Sequence, residues 1–187
     1  MDEDKIAVPT RYGTIVGAAR LAFNLMPAHR GIRRRVSYAL GYIGLGMFAE
    51  AELELEALDP ADQELPEVAS VRVDLHLAAR QWRVAIAVAS NLAWRHPECE
   101  SSWIGWAYAL RELNQVEEAR VVLLSAEVHH GKVSAVLHYN LACYDALLGS
   151  LESARQRLAR ACKLDARFRE AARNDPDLKA LRNDHKM

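Results

Sequence analysis

The sequence predicts an all-α fold, a solenoid of about four helix-turn-helix units with a helix at each end. Three observations carry this reading. Alanines at 51, 85, 119 and 154 step by 34, 34 and 35 residues, and Phe48, Trp82, Val116 and Leu151, three places before them, take the same steps. Flanking columns keep the frame: Ala39, Val73, Ala107 and Ala142 lie twelve residues before those alanines, and Leu58, Leu92, Ala126 and Ala161 seven after. Breakers punctuate the units at Asp59-Pro60, Pro97 and Gly131. Self-similarity at a period of this length marks a repeat architecture, in which each unit hides its apolar face against the next.

The first element is a basic segment, residues 1–31. All its acids, Asp2, Glu3 and Asp4, precede Lys5, and none follows until Glu50. Ile15, Ala18, Ala19, Ala22, Phe23 and Met26 fall at helical spacing, so an amphipathic helix is expected over residues 14–26. Pro9 and Gly13 interrupt an earlier helix, and Arg20 splits the apolar run, which argues against a signal core. The longest charge-free stretch, residues 36–49, is 14 long; a membrane span needs about 20.

The repeats follow at 32–65, 66–99, 100–134 and 135–168. Their internal turns are expected at Gly44-Leu45-Gly46, Arg80-Gln81, Leu113-Asn114-Gln115 and Gly149-Ser150. Small residues in the fixed columns let two antiparallel helices approach, and the bulky residue fills the wedge at the turn; enlarging a small site would overpack it at about 1–3 kcal/mol. The first repeat has no room for a full second helix before Pro60. Residues 169–187 form the last element, with Asp175 as N-cap and Pro176 in the first helical position of a short closing helix. Such an end piece covers the face that an open solenoid exposes.

This frame resembles the tetratricopeptide repeat. The closest match runs through Tyr139-Asn140-Leu141-Ala142, Gly149, Leu151, Ala154, Ala161 and Leu164-Asp165, and the next from Trp103 to Ala126. The first two repeats depart from the pattern, with Val73, Leu58 and Leu92 where small residues are expected. The resemblance implies a right-handed superhelix whose first helices line a concave groove for an extended peptide or a helix. By spacing, the partner-binding candidates are Arg33, Ser37, Leu40, Asp74, Ile104, Tyr108, Arg111, Tyr139, Asn140 and Cys143. Tyr108, Tyr139 and Asn140 lead them, because they combine apolar area or small size with a hydrogen-bonding end. Relatives that clamp a chaperone's C-terminal carboxylate need Asn and Lys or Arg in three units. Here Asn140 has Ser37, Val71 and Gly105 as counterparts, so that clamp is not expected.

Composition bounds the function. The chain has 187 residues, 24 Lys+Arg against 25 Asp+Glu, and 51% hydrophobic residues, enough for a core and too balanced for a uniformly basic nucleic-acid binder. The balance hides three blocks, basic, acidic and basic: net +4 over 1–49, then −7 over 50–100 and −1 over 101–134 together, then +3 over 135–187. The Glu50, Glu52, Glu54, Glu56 run is an electrostatic match for Arg33-Arg34-Arg35, within one molecule or between two. Cys99, Cys143 and Cys162 are scattered and odd in number, which suggests neither a disulfide framework nor zinc, and points to a reducing cytoplasm. His129 and His130 diverge by about 100° on a helix, and no H-E-x-x-H, phosphate loop or nucleophile elbow is present. No catalytic residue, metal site or cofactor is expected. The leading function is a non-enzymatic adaptor or chaperone-like scaffold for a protein or peptide partner, with a homodimer left open. The alternative is docking of residues 1–31 on an acidic membrane or nucleic acid, neither of which the rest of the chain favours as a partner.

Overall fold

The alanine column is where the chain is tightest. Ala51, Ala85, Ala119 and Ala154 are all 0% exposed, as are Ala39, Ala107, Ala142, Ala126 and Ala161 of the flanking columns. In a computed structural model, which describes residues 30–183, every one of these alanines lies in a helix, and no strand occurs among the described residues. The segment 1–31 and the helix expected at 14–26 fall outside the described residues, apart from residues 30 and 31.

Helices come in pairs: α1 (Arg30–Gly44) and α2 (Phe48–Glu56), then a short α3 (Pro60–Gln63), α4 (Pro66–Ala78) and α5 (Trp82–Arg95), α6 (Glu100–Glu112) and α7 (Val116–His130), α8 (Ala135–Leu147) and α9 (Leu151–Leu164). Then come α10 (Phe168–Asn174), a 3₁₀ turn (Pro176–Leu178) and α11 (Lys179–Asn183). The turn inside each pair has one backbone signature. Gly46, Arg80, Asn114 and Gly149 have φ of 74°, 56°, 62° and 79°, the left-handed region, and they repeat the steps of 34, 34 and 35 residues. In three of the pairs the next residue closes a six-residue ring back into the helix: Met47 N–H to Tyr42 O at 2.9 Å, Gln81 to His76 at 2.8 Å and Ser150 to Asp145 at 2.8 Å. This is the Schellman ending, and the residue that makes the bond is already the N-cap of the second helix.

The chain divides into two compact bodies, meeting at the Asn114-Gln115 peptide. In the first, α1 packs on α2 and α4, α4 on α2, α5 and α6, and α5 on α6. Its core gathers Ile32, Val36, Ala39, Leu40, Ile43, Ala51, Leu55, Val68, Val71 and Leu75. The charge match expected from the sequence forms within the molecule, with Arg35 Nη1 donating to Glu54 Oε2 at 3.0 Å. Trp103 is buried and donates Nε1–H to Pro97 O at 3.1 Å, and it stacks on Trp106 at 6.0 Å, with Trp94 edge-on to both. Gly105 permits the approach of α6 to α4, since a Cβ there would lie 2.8 Å from Val73 Cγ1.

In the second body α8 is the axis. Every residue from Leu137 to Ala146 is buried, and α7, α9, the 3₁₀ turn and α11 pack around it. Ser134 caps α8 by accepting the Leu137 N–H at 2.9 Å. Asp175 caps the 3₁₀ turn by accepting from Asp177 N at 3.0 Å, and the closing helix follows.

Candidate functional site

The candidate binding residues sit on the first helices of the pairs: Arg33, Ser37 and Leu40 on α1, Asp74 on α4, Ile104, Tyr108 and Arg111 on α6, and Tyr139, Asn140 and Cys143 on α8. Burial sorts them. In the first body Ser37 is exposed, and Arg33, Tyr108 and Arg111 are half-buried. Leu40 is a member of the core and Ile104 is 1% exposed. Tyr108 sets its ring edge-on to the wedge residue Trp82, with centroids 6.1 Å apart. Arg111, three residues on, donates from Nη1 to Glu112 Oε1 at 2.9 Å. Together they put an aromatic ring and a guanidinium on adjacent turns of α6.

Asp74 is 1% exposed, on a helix where Val71, Val73, Leu75 and Leu77 are also buried. Removal from water disfavours its charged form and pushes the carboxyl up to about 7. Gly105 and Val71, counted by spacing among the residues facing the groove, instead belong to the packing of α4, α6 and the core.

In the second body the candidates are held from the C-terminal end. Tyr139 is 1% exposed, donates its hydroxyl to Asp175 Oδ2 at 2.8 Å and packs its ring on Phe168 at 4.7 Å. Cys143 Sγ lies 3.8 Å from the same carboxylate oxygen. Asn140 is 0% exposed, and both its Oδ1 and Nδ2 are buried without a hydrogen-bond partner. A buried polar group left unpaired costs about 1–3 kcal/mol, so the Asn140 carboxamide is a departure from ordinary packing.

Sequence reasoning did not find the polar network beside it. His138 is 4% exposed. Its Nε2 lies 2.7 Å from Gly131 O; a carbonyl only accepts, so Nε2 carries the proton and Nδ1 accepts from Arg157 Nη1 at 3.3 Å. Arg157 also grips Glu127 with both terminal nitrogens, and this bond holds the Glu127 carboxyl below its ordinary value. Spacing gives no warning of this, because the three residues come from α7, α8 and α9. The Cys162 thiol is pushed up by burial, away from the reactive thiolate. Among the described residues no group of His, Cys, Asp and Glu could hold a metal ion, and no helix is long and apolar enough to cross a membrane.

No family model matches the chain, and no curated protein matches it significantly. Solved structures do. MamA MSR-1 aligns with a TM-score of 0.59 at 16% identity, over 84% of this chain and 95% of its own. MamA AMB-1 aligns with a TM-score of 0.58 at 16% identity, over 87% of this chain and 94% of its own. Likeness at this identity carries the fold alone: this chain has an all-helical repeat fold of the tetratricopeptide type.

Proposed function

We propose that the chain is a non-enzymatic protein-interaction adaptor that holds a peptide or helical segment against the first helices of its repeats. The observation that carries this reading is Asn140. Its carboxamide, like a peptide bond, offers N–H donors and a carbonyl acceptor, and neither Nδ2 nor Oδ1 is matched within the protein. A position serving packing alone would favour Leu there, since replacing an unpaired polar group by an apolar one of similar shape is neutral or stabilising. Asn140 is 0% exposed, so a bound backbone would supply both partners by displacing the side chains that cover it. In the first body, taken by itself, Tyr108 and Arg111 are side chains of the types enriched at interfaces. Residues 1–29 lie outside the described residues, and no part of this reading rests on them.

The test is Asn140→Leu. Peptides are selected from a random display library against the full chain, and the affinity of the enriched sequences is measured for the parent, Asn140→Leu and Tyr108→Ala. Asn140→Leu is expected to raise the thermal midpoint and weaken peptide binding at least tenfold. Tyr108→Ala tests the first body separately and is expected to weaken the peptides held there, with unchanged circular dichroism. Failure of any peptide to enrich would overturn the adaptor reading, and full-strength binding by Asn140→Leu would move the site off α8.

A further inference from the structure

The first body contains a cavity of about 390 Å³ between α3, α4 and α5, lined by none of the candidates above. That volume is within the range of small-molecule sites. Its walls divide by chemistry. Ala69, Ala87, Val88 and Leu92 are apolar, while Gln63, Arg72, Asn91, Arg95 and His96 bring hydrogen-bonding groups from three helices and the end of α5.

Arg72 is held in place. Gln63 spends its Nε2 on two backbone carbonyls, Glu56 O at 3.0 Å and Leu58 O at 2.9 Å, which fixes the amide and turns Oε1 to accept from Arg72 Nη2 at 2.8 Å. Glu52 lies 3.6 Å from Nη1, and the buried Nε–H finds no acceptor. A guanidinium has five donors, so Arg72 keeps capacity for a further acceptor. Arg95 comes from one turn beyond Asn91 on α5. Its pairing with Glu64 at 2.9 Å joins side chains 54% and 68% exposed, an arrangement worth little in water and readily exchanged.

We propose that this cavity binds a small organic monocarboxylate with a compact apolar body. The carboxylate pairs with Arg72 and Arg95, and the body rests on Val88 and Leu92. Two guanidiniums favour a planar carboxylate through forked hydrogen bonds. The neighbouring Glu52 and Glu64 disfavour a second negative charge on the ligand, which argues for a monoanion over a phosphate dianion. The apolar half of the wall selects a carbon skeleton over a bare ion. This site is independent of the peptide-binding reading and can hold or fail without it.

The full chain is titrated by calorimetry with 4-methylpentanoate, with 4-methylpentanamide as the uncharged counterpart and inorganic phosphate as the bare anion. Saturable 4-methylpentanoate binding is expected at about 1 mM, the level a ligand of this size reaches. The amide and phosphate should bind at least tenfold more weakly. Arg95→Gln, whose side chain is 54% exposed and pairs with the exposed Glu64, should lose binding at least tenfold with an unchanged thermal midpoint, and Arg72→Gln should do the same if it folds. Three results would each overturn the proposal: no saturation by about 10 mM, far above the expected affinity; equal binding of the amide or of phosphate; or undiminished binding by Arg95→Gln.

Discussion

Asp74 buries a carboxyl on α4, and desolvation raises its pKa from the ordinary 3.8 to about 7. The folded protein therefore holds a proton there that the unfolded chain releases near pH 4. Stability from this group is complete below pH 4, falls as the pH rises, and is gone above about 7. Asp74→Asn keeps the shape and removes the titration. It should raise the urea midpoint at pH 8, by a stabilisation of up to about 4 kcal/mol if the full shift is realised, and leave it nearly unchanged at pH 4. A parallel pH profile for parent and variant would show that Asp74 ionises freely in the folded state. Glu127 works in the opposite sense. Its carboxyl is lowered by Arg157, so its contribution is present at neutral pH and lost as the solution becomes acid.

Between helices, the contact of α4 with α6 turns on a single missing methyl group. A Cβ on Gly105 would lie 2.8 Å from Val73 Cγ1 and 3.3 Å from Leu77 Cδ1, and valine is stiff about χ1. Gly105→Ala should therefore destabilise by about 1–3 kcal/mol, although alanine is the better helix former by about 1 kcal/mol. In a Val73→Ala background the same change should become neutral or favourable, a coupling that a double-mutant cycle of urea midpoints reads directly. Additive effects would place the contact elsewhere. Helices of this kind were legible in the sequence wherever a column had to be small: all four alanines of the central column are fully buried. Counting by spacing did less well for the facing of α1, α4 and α6. It put Gly105, Val71 and Leu40 towards a ligand, whereas they pack inward. Repeat period fixes which residues are equivalent; it does not fix the rotation of a helix whose neighbours come from another repeat. The cavity beside Arg72 was invisible for a related reason, since three helices together line it.

At the scale of the whole molecule, the end pieces decide how well the last helix pair survives. The second body ends on Phe168, Leu178 and Leu181, each 3% exposed or less, and on Asp175, which receives the Tyr139 hydroxyl. Removing everything after residue 166 strips these from α8 and α9, at roughly 2 kcal/mol for each apolar side chain lost. The truncated chain should melt earlier and bind a hydrophobic dye, and an unchanged melting curve would show that the end pieces are ornamental. The tetratricopeptide likeness was readable from Tyr139 to Asp165, where glycine marks the turn. It faded in earlier repeats, where the same backbone is made without one.

That backbone has an implication for how the repeats diverged. Two of the four left-handed positions are glycine, one is asparagine and one is arginine. A side chain in that region costs about 1–2 kcal/mol, and glycine loses roughly 0.5–1 kcal/mol of extra chain freedom on folding, so the two choices differ little once the hairpin is closed by packing. Mutation at these turns is nearly neutral. The residue at that position differs from repeat to repeat, while the angle stays the same.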